Sequence, residues 1–237
     1  MIPKVINYCW FGGKDLPKEV KQCIKTWKNF CPDYKIICWN EKNFNVHLNP
    51  FVESAYENGA WAFVSDYARL KIIYDYGGIY LDTDVKLLKN IDFLLSNKMY
   101  VGIQQGEKLC NTGLGFGAEA HHPVVGKMLK AYDSIVYSDE IADKISCPRL
   151  NNQVLQKIGY KYSNEIQNIK NVTVYPPEYM DPIAQGDSQD LLSDNSFSIS
   201  LYLGSWTSKR NQLKRKLFVF IGLKRIEKIK HFLKKKR

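Results

Sequence analysis

The segment FVSDYARLKIIYDYGGIYLDTDV, residues 63–85, constrains the fold of this chain more than any other. Apolar residues recur at helical spacing through its first part, and the adjacent Gly77 and Gly78 stop that helix. The residues that follow predict a strand that begins buried and becomes polar at Asp82 and Asp84. Carboxylates are costly to bury without a partner, so the segment predicts a polar site where a strand of an α/β sheet ends.

The two aspartates are separated by a single residue. Because side chains alternate along a strand, we expect Asp82 and Asp84 to project to one side and Thr83 to the other. Two carboxylates on one side suit a divalent cation, which needs further oxygen ligands. A nucleotide diphosphate supplies such oxygens. The D-x-D pattern alone fits a solvated strand end equally well, although the preceding glycines let a ligand or another backbone approach closely.

Asp66 and Arg69 lie three residues apart in the predicted helix and therefore share one face. One interpretation is a surface ion pair worth a few tenths of a kcal/mol. The other interpretation places both side chains in a cleft. There Asp66 accepts hydrogen bonds from sugar hydroxyls, and the planar guanidinium of Arg69 binds the molecule that donates the sugar. The spacing alone leaves both interpretations open.

The rest of the pattern predicts one α/β domain. A strand, a helix beginning near Pro17 and a second strand occupy the first forty residues, which is the opening of a sheet with a right-handed crossover. Further helices are predicted over NPFVESAYENG, HPVVGKMLKAYDSIV and RLNNQVLQKIG. Further strands are predicted over MYVGIQ, LGFGAE, VTVYPPEYM and SISLYLGSW.

Composition and cysteine spacing exclude several classes of protein. A chain of 237 residues, 45% hydrophobic and 24% charged, is long enough for one well-buried core. Its six cysteines form no C-x-x-C pair, so we expect reduced, mostly buried thiols rather than a zinc or redox motif. Since no long apolar run or secretory signal pattern is evident, we expect a cytoplasmic protein.

The positive charge of the chain is concentrated in its last residues. Residues 209–237 contain 13 Lys/Arg and one acid, whereas the rest of the chain carries 21 Lys/Arg against 23 Asp/Glu. Residues 208–237 have apolar side chains at roughly helical spacing between these bases, which predicts a basic amphipathic helix on an anionic membrane surface. Alternatives are a helix packed on the catalytic domain and a nucleic-acid tail; a nearly neutral body argues against nucleic acid as a partner.

The run SDYARLKIIYDYGGIYLDTDV closely resembles the signature of the DXD-containing sugar transferases of glycosyltransferase family 32. It is more distantly similar to the glucosylating domains of the large clostridial toxins. The segments IPKVINYCWFGG, WNE, NTGLGFGAEAHHP and GSW also resemble family landmarks in their usual order. The resemblance implies a GT-A type domain over residues 1–207, a Rossmann-like mixed sheet flanked by helices, followed by the tail over residues 208–237.

The resemblance also implies an activity. Such proteins are retaining, metal-dependent glycosyltransferases that move a hexose from a nucleotide-sugar donor to a growing glycan. A UDP-sugar is the favoured donor, GDP-mannose is the second choice, and Mn²⁺ or Mg²⁺ is the expected cofactor. Together with the basic tail, this predicts a lipid-linked cell-surface or capsular glycan as acceptor, on the inner face of the plasma membrane.

Site residues follow from the resemblance position by position. Asp82 and Asp84 are expected to bind the metal and diphosphate and, with Arg69, to be catalytic. Trp10 matches an aromatic residue that stacks on the base, and Trp206 is expected to close over the donor; core packing is the alternative for each. The predicted donor-binding residues are Trp10, Asp66, Arg69, Tyr80, Asp82, Thr83, Asn111 and Trp206.

The chain departs from the family pattern near its end. Family members often read H-H-x-x-G-S-W, whereas this chain reads SLYLGSW over residues 200–206, without the histidines. The third metal ligand is therefore open: Ser205, Asn211, or water and the diphosphate. His121 and His122 are expected to form a loop and helix start, or to contact an acceptor.

Two other functions remain open from the residues. Paired aspartates also serve metal-dependent phosphoesterases and nucleases, which need further acids or histidines for a second metal. A non-catalytic sugar-binding module is the other alternative, and it has no need of a diphosphate-binding D-x-D.

Overall fold

The computed structural model describes residues 1–183 and 190–204, and these contain nine strands, six α-helices and one 3-10 helix. The strands are β1 Val5–Cys9, β2 Lys35–Trp39, β3 Gly78–Tyr80, β4 Val85–Leu87, β5 Met99–Ile103, β6 Cys110–Ala118, β7 Gln167–Ile169, β8 Val172–Tyr175 and β9 Ser198–Ser200. The helices are α1 Lys18–Phe30, α2 Pro50–Glu57, α3 Trp61–Tyr76, α4 Pro123–Lys130, α5 Cys147–Lys157 and α6 Pro177–Met180, with the 3-10 helix over Asp92–Ser96.

Seven strands form one mixed sheet in the order β2-β1-β3-β6-β5-β8-β7. β1 lies parallel to both β2 and β3, so the predicted β1-α1-β2 crossover unit is confirmed. β6 is antiparallel to β3 on one side and to β5 on the other, and this makes the sheet mixed. β4 and β9 pair separately as a two-stranded sheet.

Helices cover both faces of the large sheet. Side chains alternate along its strands, so that Ile79 and Tyr100 join one apolar cluster while Tyr80 and Val101 join the other. The first cluster packs α1, the 3-10 helix and α6, and the second packs α2, α3, α4 and α5. Trp27 of α1 is fully buried, and its indole N–H donates to the carbonyl of Val85 at 2.8 Å, which ties the small sheet to this layer.

The Gly77–Gly78 pair ends α3 as predicted. Gly77 has φ of 67° and donates its N–H to the carbonyl of Ile73 at 2.9 Å. A Cβ on Gly77 would lie 2.9 Å from the amide nitrogen of Ala120, and one on Gly78 would lie 3.0 Å from the carbonyl of Val5. Larger residues here would separate the helix from the sheet, because both glycines combine positive φ with close backbone contact.

The single strand predicted over IYLDTDVKL is wrong. β3 ends at Tyr80, and residues 81–84 turn away before β4 begins at Val85. The N–H of Val85 donates to the carbonyl of Asp82 at 2.9 Å, which closes this turn. Asp82 and Asp84 therefore lie on a turn between two sheets, and the argument from strand alternation does not apply to them.

Other elements also differ at their ends. α4 stops at Lys130, because Tyr132 turns into the core with its ring centroid 4.6 Å from that of Phe51. β9 covers only Ser198–Ser200; the N–H of Leu201 still donates to the carbonyl of Asp84 in the same register, and the positive φ of Tyr202 then turns the chain away. β7 and α6 were not predicted; each is short and lies beside turn-forming residues.

Predictions were also made for the cysteines, for His122, for membrane-spanning segments and for the C-terminal residues. All six cysteines are free, five of them buried, as expected. His122 caps α4, its ring nitrogen accepting from the N–H of Val124, which confirms the predicted helix start. No helix in the described part of the chain is long and apolar enough to cross a membrane. The predictions for Ser205, Trp206, Asn211 and residues 208–237 fall outside the described residues.

Candidate active site

Arg69 is the centre of a buried charge cluster at the C-terminal end of β3. One guanidinium nitrogen, Nη2, lies 3.0 Å from Oδ1 of Asp66 and 3.0 Å from Oδ1 of Asp82. The Asp66–Arg69 pair predicted from the i, i+3 spacing is therefore present, and the side chain of Arg69 is only 5% exposed. Burial opposes the charge on Arg69, but the carboxylates of Asp82 and Asp66 hold its pKa well above the ordinary value.

Tyr80 supports Asp82 from the end of β3. Its hydroxyl donates to Oδ1 of Asp82 at 3.0 Å, and the guanidinium of Arg69 lies 4.9 Å from the centre of its ring. Tyr80 is 1% exposed, so its contacts with these two charged residues are shielded from water. Burial is the main reason that the pKa of Asp82 is raised, while Arg69 and Tyr80 oppose that shift.

Asp66 faces the first turn of α5. The backbone N–H of Cys147, the first residue of α5, donates to Oδ2 of Asp66 at 3.2 Å, where the helix dipole also favours an anion. Burial and the nearby Asp82 nevertheless raise the pKa of Asp66 to about 6, against the opposing effect of Arg69. The sequence reasoning missed Cys147; the only signal for it was Pro148 at the start of a helix.

Asp84 is held by the residues that follow β9. The N–H of Leu203 donates to Oδ2 of Asp84 at 3.0 Å, and the N–H of Leu201 donates to its backbone carbonyl at 2.9 Å. Among the ion pairs of the described residues, none involves Asp84. Burial, with a smaller contribution from Asp82, raises the pKa of Asp84 to about 6.

Arg69, Tyr80, Asp82 and Asp84 line one cleft, and Asp66 is not among its lining residues. Trp10 lies in its wall, next to the end of β1, with its indole N–H donating to the carbonyl of Lys14. The predicted stacking of Trp10 on a base stays a prediction. The cleft is lined by Cys9, Trp10, Phe11, Lys14, Trp61, Ala62, Ser65, Arg69, Tyr80, Asp82, Thr83, Asp84 and Gly204.

Three more residues lie in or beside the cleft: Asn111, which was predicted, and Lys14 and Trp61, which were not. Asn111 accepts a hydrogen bond from the N–H of Gly113 at 2.7 Å and donates to the side chain of Gln104 at 2.9 Å, so it fixes the backbone beside Asp82. Its predicted contact with a donor stays a prediction. Lys14 and Trp61 line the cleft but were not predicted, because one lies in a Gly-rich loop and the other reads as an ordinary helix start.

The charges and oxygen atoms of the cleft fit a divalent cation. The carboxylates of Asp66, Asp82 and Asp84 are partly buried; among residues 1–183 and 190–204, Asp66 and Asp82 pair only with Arg69, and Asp84 forms no ion pair. Carboxylate oxygens are the ligands that Mg²⁺ and Mn²⁺ prefer. No group of three or more His, Cys, Asp or Glu side chains that could hold a metal occurs within residues 1–183 and 190–204, so Asp82 and Asp84 need other ligands beside them.

Gly113 of β6 lies directly against the cluster. A Cβ at this position would overlap Oδ2 of Asp82 and lie 2.9 Å from Nη1 of Arg69. We expect Gly113→Ala to lower the free energy of unfolding by about 1–3 kcal/mol, because it pushes apart a buried ion pair. Urea denaturation measures this, with Gly106→Ala as control, since a Cβ on Gly106 meets nothing within 4 Å. Equal midpoints for the two variants would contradict the expected collision.

The described cluster lies within a region that is shared with known proteins. Residues 17–101 match the family described as the glycosyltransferase sugar-binding region containing DXD motif. That stretch contains Asp66, Arg69, Asp82 and Asp84, of which the last three line the cleft.

Curated relatives resemble part of the chain. It is 28% identical over 124 residues to inositol phosphoceramide mannosyltransferase 3 of Schizosaccharomyces pombe, covering 51% of this chain and 34% of that protein. It is 27% identical over 135 residues to mannosyl phosphorylinositol ceramide synthase SUR1 of Saccharomyces cerevisiae, covering 55% and 35%. The chain thus spans about a third of the length of these two relatives.

Solved structures show the same fold. PaToxG glycosyltransferase superposes with a TM-score of 0.55 at 19% identity, covering 66% of this chain and 69% of that one. A glycosyltransferase involved in the glycosylation of the major capsid of PBCV-1 superposes with a TM-score of 0.51 at 12% identity, covering 92% and 100%. The predicted fold class, a GT-A type mixed sheet flanked by helices, is confirmed.

Proposed function

Because residues 17–101 match the DXD-containing sugar-binding region of glycosyltransferases, we propose that the protein transfers a sugar from a nucleotide-sugar donor to a glycan or lipid-linked acceptor. The observation that carries the proposal is the cluster around Arg69, where Asp82 and Asp84 line a cleft, and where three partly buried carboxylates have one ion-pair partner among the described residues. Such an excess of negative charge suits a bound divalent cation and, through it, a diphosphate.

The sugar is a hexose in this proposal. The sequence resemblance favours a UDP-sugar, with GDP-mannose as the second choice. The curated relatives are named mannosyltransferases, which supports mannose. Both donors therefore belong in the first test.

The residues of the cleft have distinct roles in the proposed transfer. The bond between the anomeric carbon and the diphosphate breaks, and negative charge accumulates on the leaving group. A divalent cation held by Asp82 and Asp84 supplies electrostatic stabilisation of that charge when bound. Arg69 fixes the orientation of Asp82 through their ion pair, and Asp66 accepts hydrogen bonds from sugar hydroxyls.

We propose that the anomeric configuration is retained by same-face substitution. The acceptor oxygen bonds to the anomeric carbon as the diphosphate leaves, and the diphosphate takes the acceptor proton. Asp66 is a poor nucleophile, since Oδ1 is paired with Arg69 and Oδ2 accepts from the N–H of Cys147. Trapping a glycosyl-enzyme intermediate on any carboxylate would refute this route in favour of double displacement.

Donor hydrolysis tests the proposed function. Purified protein is incubated with UDP- and GDP-sugars in the presence of Mn²⁺, of Mg²⁺ and of a chelator, and the released nucleotide is measured. We expect metal-dependent release from one nucleotide-sugar, since a cation bound by Asp82 and Asp84 would offset the negative charge of the leaving diphosphate. Absence of both turnover and metal-dependent nucleotide binding would sink the proposal. Binding of sugar without metal would instead indicate a sugar-binding module.

The acceptor and the location of the protein are further parts of the proposal. We place the protein in the cytoplasm, attached by residues 208–237 to the inner face of the plasma membrane, where a lipid-linked capsular or cell-surface glycan is in reach. The 13 Lys/Arg of residues 209–237 support attraction to anionic lipid.

A vesicle assay tests the membrane part. We expect binding to anionic vesicles to weaken as salt screens the charges, and to disappear when the chain is truncated at Ser208. Co-sedimentation measures it, with neutral vesicles as control. Binding that ignores salt, or survives truncation, would contradict the role of this segment.

A further inference from the structure

Tyr202 sits in a strained position beside the candidate metal ligand Asp84. Its φ is 46°, in the left-handed region that bulky residues rarely adopt. The residues on either side of it, Leu201 and Leu203, both donate backbone hydrogen bonds to Asp84. A strained backbone of this kind persists only where surrounding contacts over-determine it, so the contacts of Tyr202 decide how Asp84 is held.

The side chain of Tyr202 is anchored by Asp181. The Tyr202 hydroxyl donates to Oδ2 of Asp181 at 2.6 Å, and the N–H of Gln105 donates to the same oxygen at 2.8 Å. Asp181 is completely buried, and its Oδ1 has no hydrogen-bond partner within residues 1–183 and 190–204. A short hydrogen bond to a buried carboxylate is a strong restraint, because water cannot replace it there.

Asp181 is held in place by the packing of the preceding residue, Met180, against the large sheet. It follows Met180, the last residue of α6, which packs into a space left by two glycines of the large sheet. A Cβ on Gly102 would lie 2.6 Å from the sulfur of Met180, and one on Gly115 would lie 3.0 Å from its terminal methyl group. Gly115 also approaches Leu81, the residue before Asp82. The sheet therefore holds Asp181 in place.

We propose that Asp181 and Tyr202 are positioning residues, whose hydrogen bond holds residues 201–204 against Asp84 and so sets its geometry for a divalent cation. The metal role rests on the proposed function. When the bond is lost, we expect Tyr202 to relax toward negative φ and the N–H of Leu203 to turn away from Oδ2 of Asp84. Hydrogen bonds to a ligating carboxylate commonly change metal affinity by about 10–100-fold.

Amide hydrogen exchange tests the restraint without any ligand. In Tyr202→Phe we expect faster exchange in the peptide that contains residues 201–204. Tyr34→Phe is the matched control, because it removes another tyrosine bond to an aspartate, of 2.7 Å to Asp92, outside the cleft. Unchanged exchange in Tyr202→Phe would overturn the proposed restraint.

Metal titration tests the consequence for Asp84. We measure Mn²⁺ affinity in the presence of UDP and of GDP, and expect it to fall about tenfold in Tyr202→Phe but not in Tyr34→Phe. Equal affinities in the two variants would overturn the positioning role, even if exchange is faster. A wild-type protein that binds no Mn²⁺ with either nucleotide would instead overturn the proposed function. In that case the amide exchange of residues 201–204 would still show whether the Tyr202–Asp181 bond restrains this segment.

A second variant separates positioning from general loss of stability. Asp181→Ala removes the acceptor of the same bond, and the double variant Asp181→Ala/Tyr202→Phe should bind Mn²⁺ no more weakly than Asp181→Ala alone, because one bond is lost in both. Additive losses in Mn²⁺ affinity would contradict the link between the two residues. If Asp181→Ala fails to fold, Asp181→Leu, which keeps a branched side chain but has no hydrogen-bond acceptor, replaces it in the same cycle.

Discussion

Replacing Asp84 with asparagine should lower sugar transfer by roughly 100-fold or more while leaving the protein folded and slightly more heat-stable. The carboxylate is partly buried and has no ion-pair partner in the described part of the chain, and its pKa is raised from 3.8 to about 6. Its ionisation therefore costs stability progressively as pH rises from 3.8 to about 6, and the full cost is present at neutral pH. Asparagine removes that cost together with the charge that a cation requires.

Two measurements check the Asp84→Asn prediction. Initial rates with saturating Mn²⁺ report the loss of transfer, and thermal unfolding in chelator reports a midpoint raised by about 2–4 °C. Asp75→Asn is the control, since Asp75 pairs with Lys71 on the same helix that carries Asp66 and should change neither quantity much. An unfolded Asp84→Asn protein would show that the residue is structural, and undiminished transfer would remove it from the site.

Replacing Arg69 with methionine should be the most destabilising of these changes, by about 3–5 kcal/mol. Arg69 is 5% exposed, and its loss leaves the carboxylates of Asp66 (13% exposed) and Asp82 (34% exposed) without the cation that lies 3.0 Å from each. It also leaves the ring of Tyr80 without its charged neighbour. Transfer should be lost as well, because Asp82 loses the contact that orients it.

Urea denaturation measures the effect of Arg69→Met. Lys71→Met is the matched control on α3, because the Lys71–Asp75 pair is about 30% exposed and contributes at most about 1 kcal/mol. Adding Asp66→Asn to Arg69→Met should recover part of the loss, since one uncompensated carboxylate is removed. Similar denaturation midpoints for Arg69→Met and Lys71→Met would mean that the ion pairs of Arg69 contribute little to the free energy of unfolding.

Local sequence patterns predicted the parts of this protein that depend on neighbours along the chain. The helix from Trp61 to Tyr76 and its Gly77 stop were predicted from apolar spacing and from the conformational freedom of glycine. The Asp66–Arg69 pair followed from their i, i+3 spacing. These features are local, because helical periodicity and capping act over a few residues.

Local sequence patterns did not predict the contacts between segments that are far apart in the chain. The turn at residues 81–84 looked like a continuous strand, because the pairing of Val85 with Ser200 lies more than a hundred residues away. The N–H of Cys147 on Asp66, the close approach of Gly113 to Asp82 and the bond from Leu203 to Asp84 also join distant segments. None of them leaves a periodic signal in the sequence.

The sequence by itself thus determined the class of fold, the charged residues of the cleft and the family that they resemble. Only the tertiary structure decided that Arg69 forms ion pairs with two aspartates and that backbone N–H groups donate to Asp84. It also decided that Tyr202, in the segment that contacts Asp84, is hydrogen-bonded to Asp181. The physical reason is that burial and the proximity of charges, which set these interactions, arise only when segments far apart in the chain pack together.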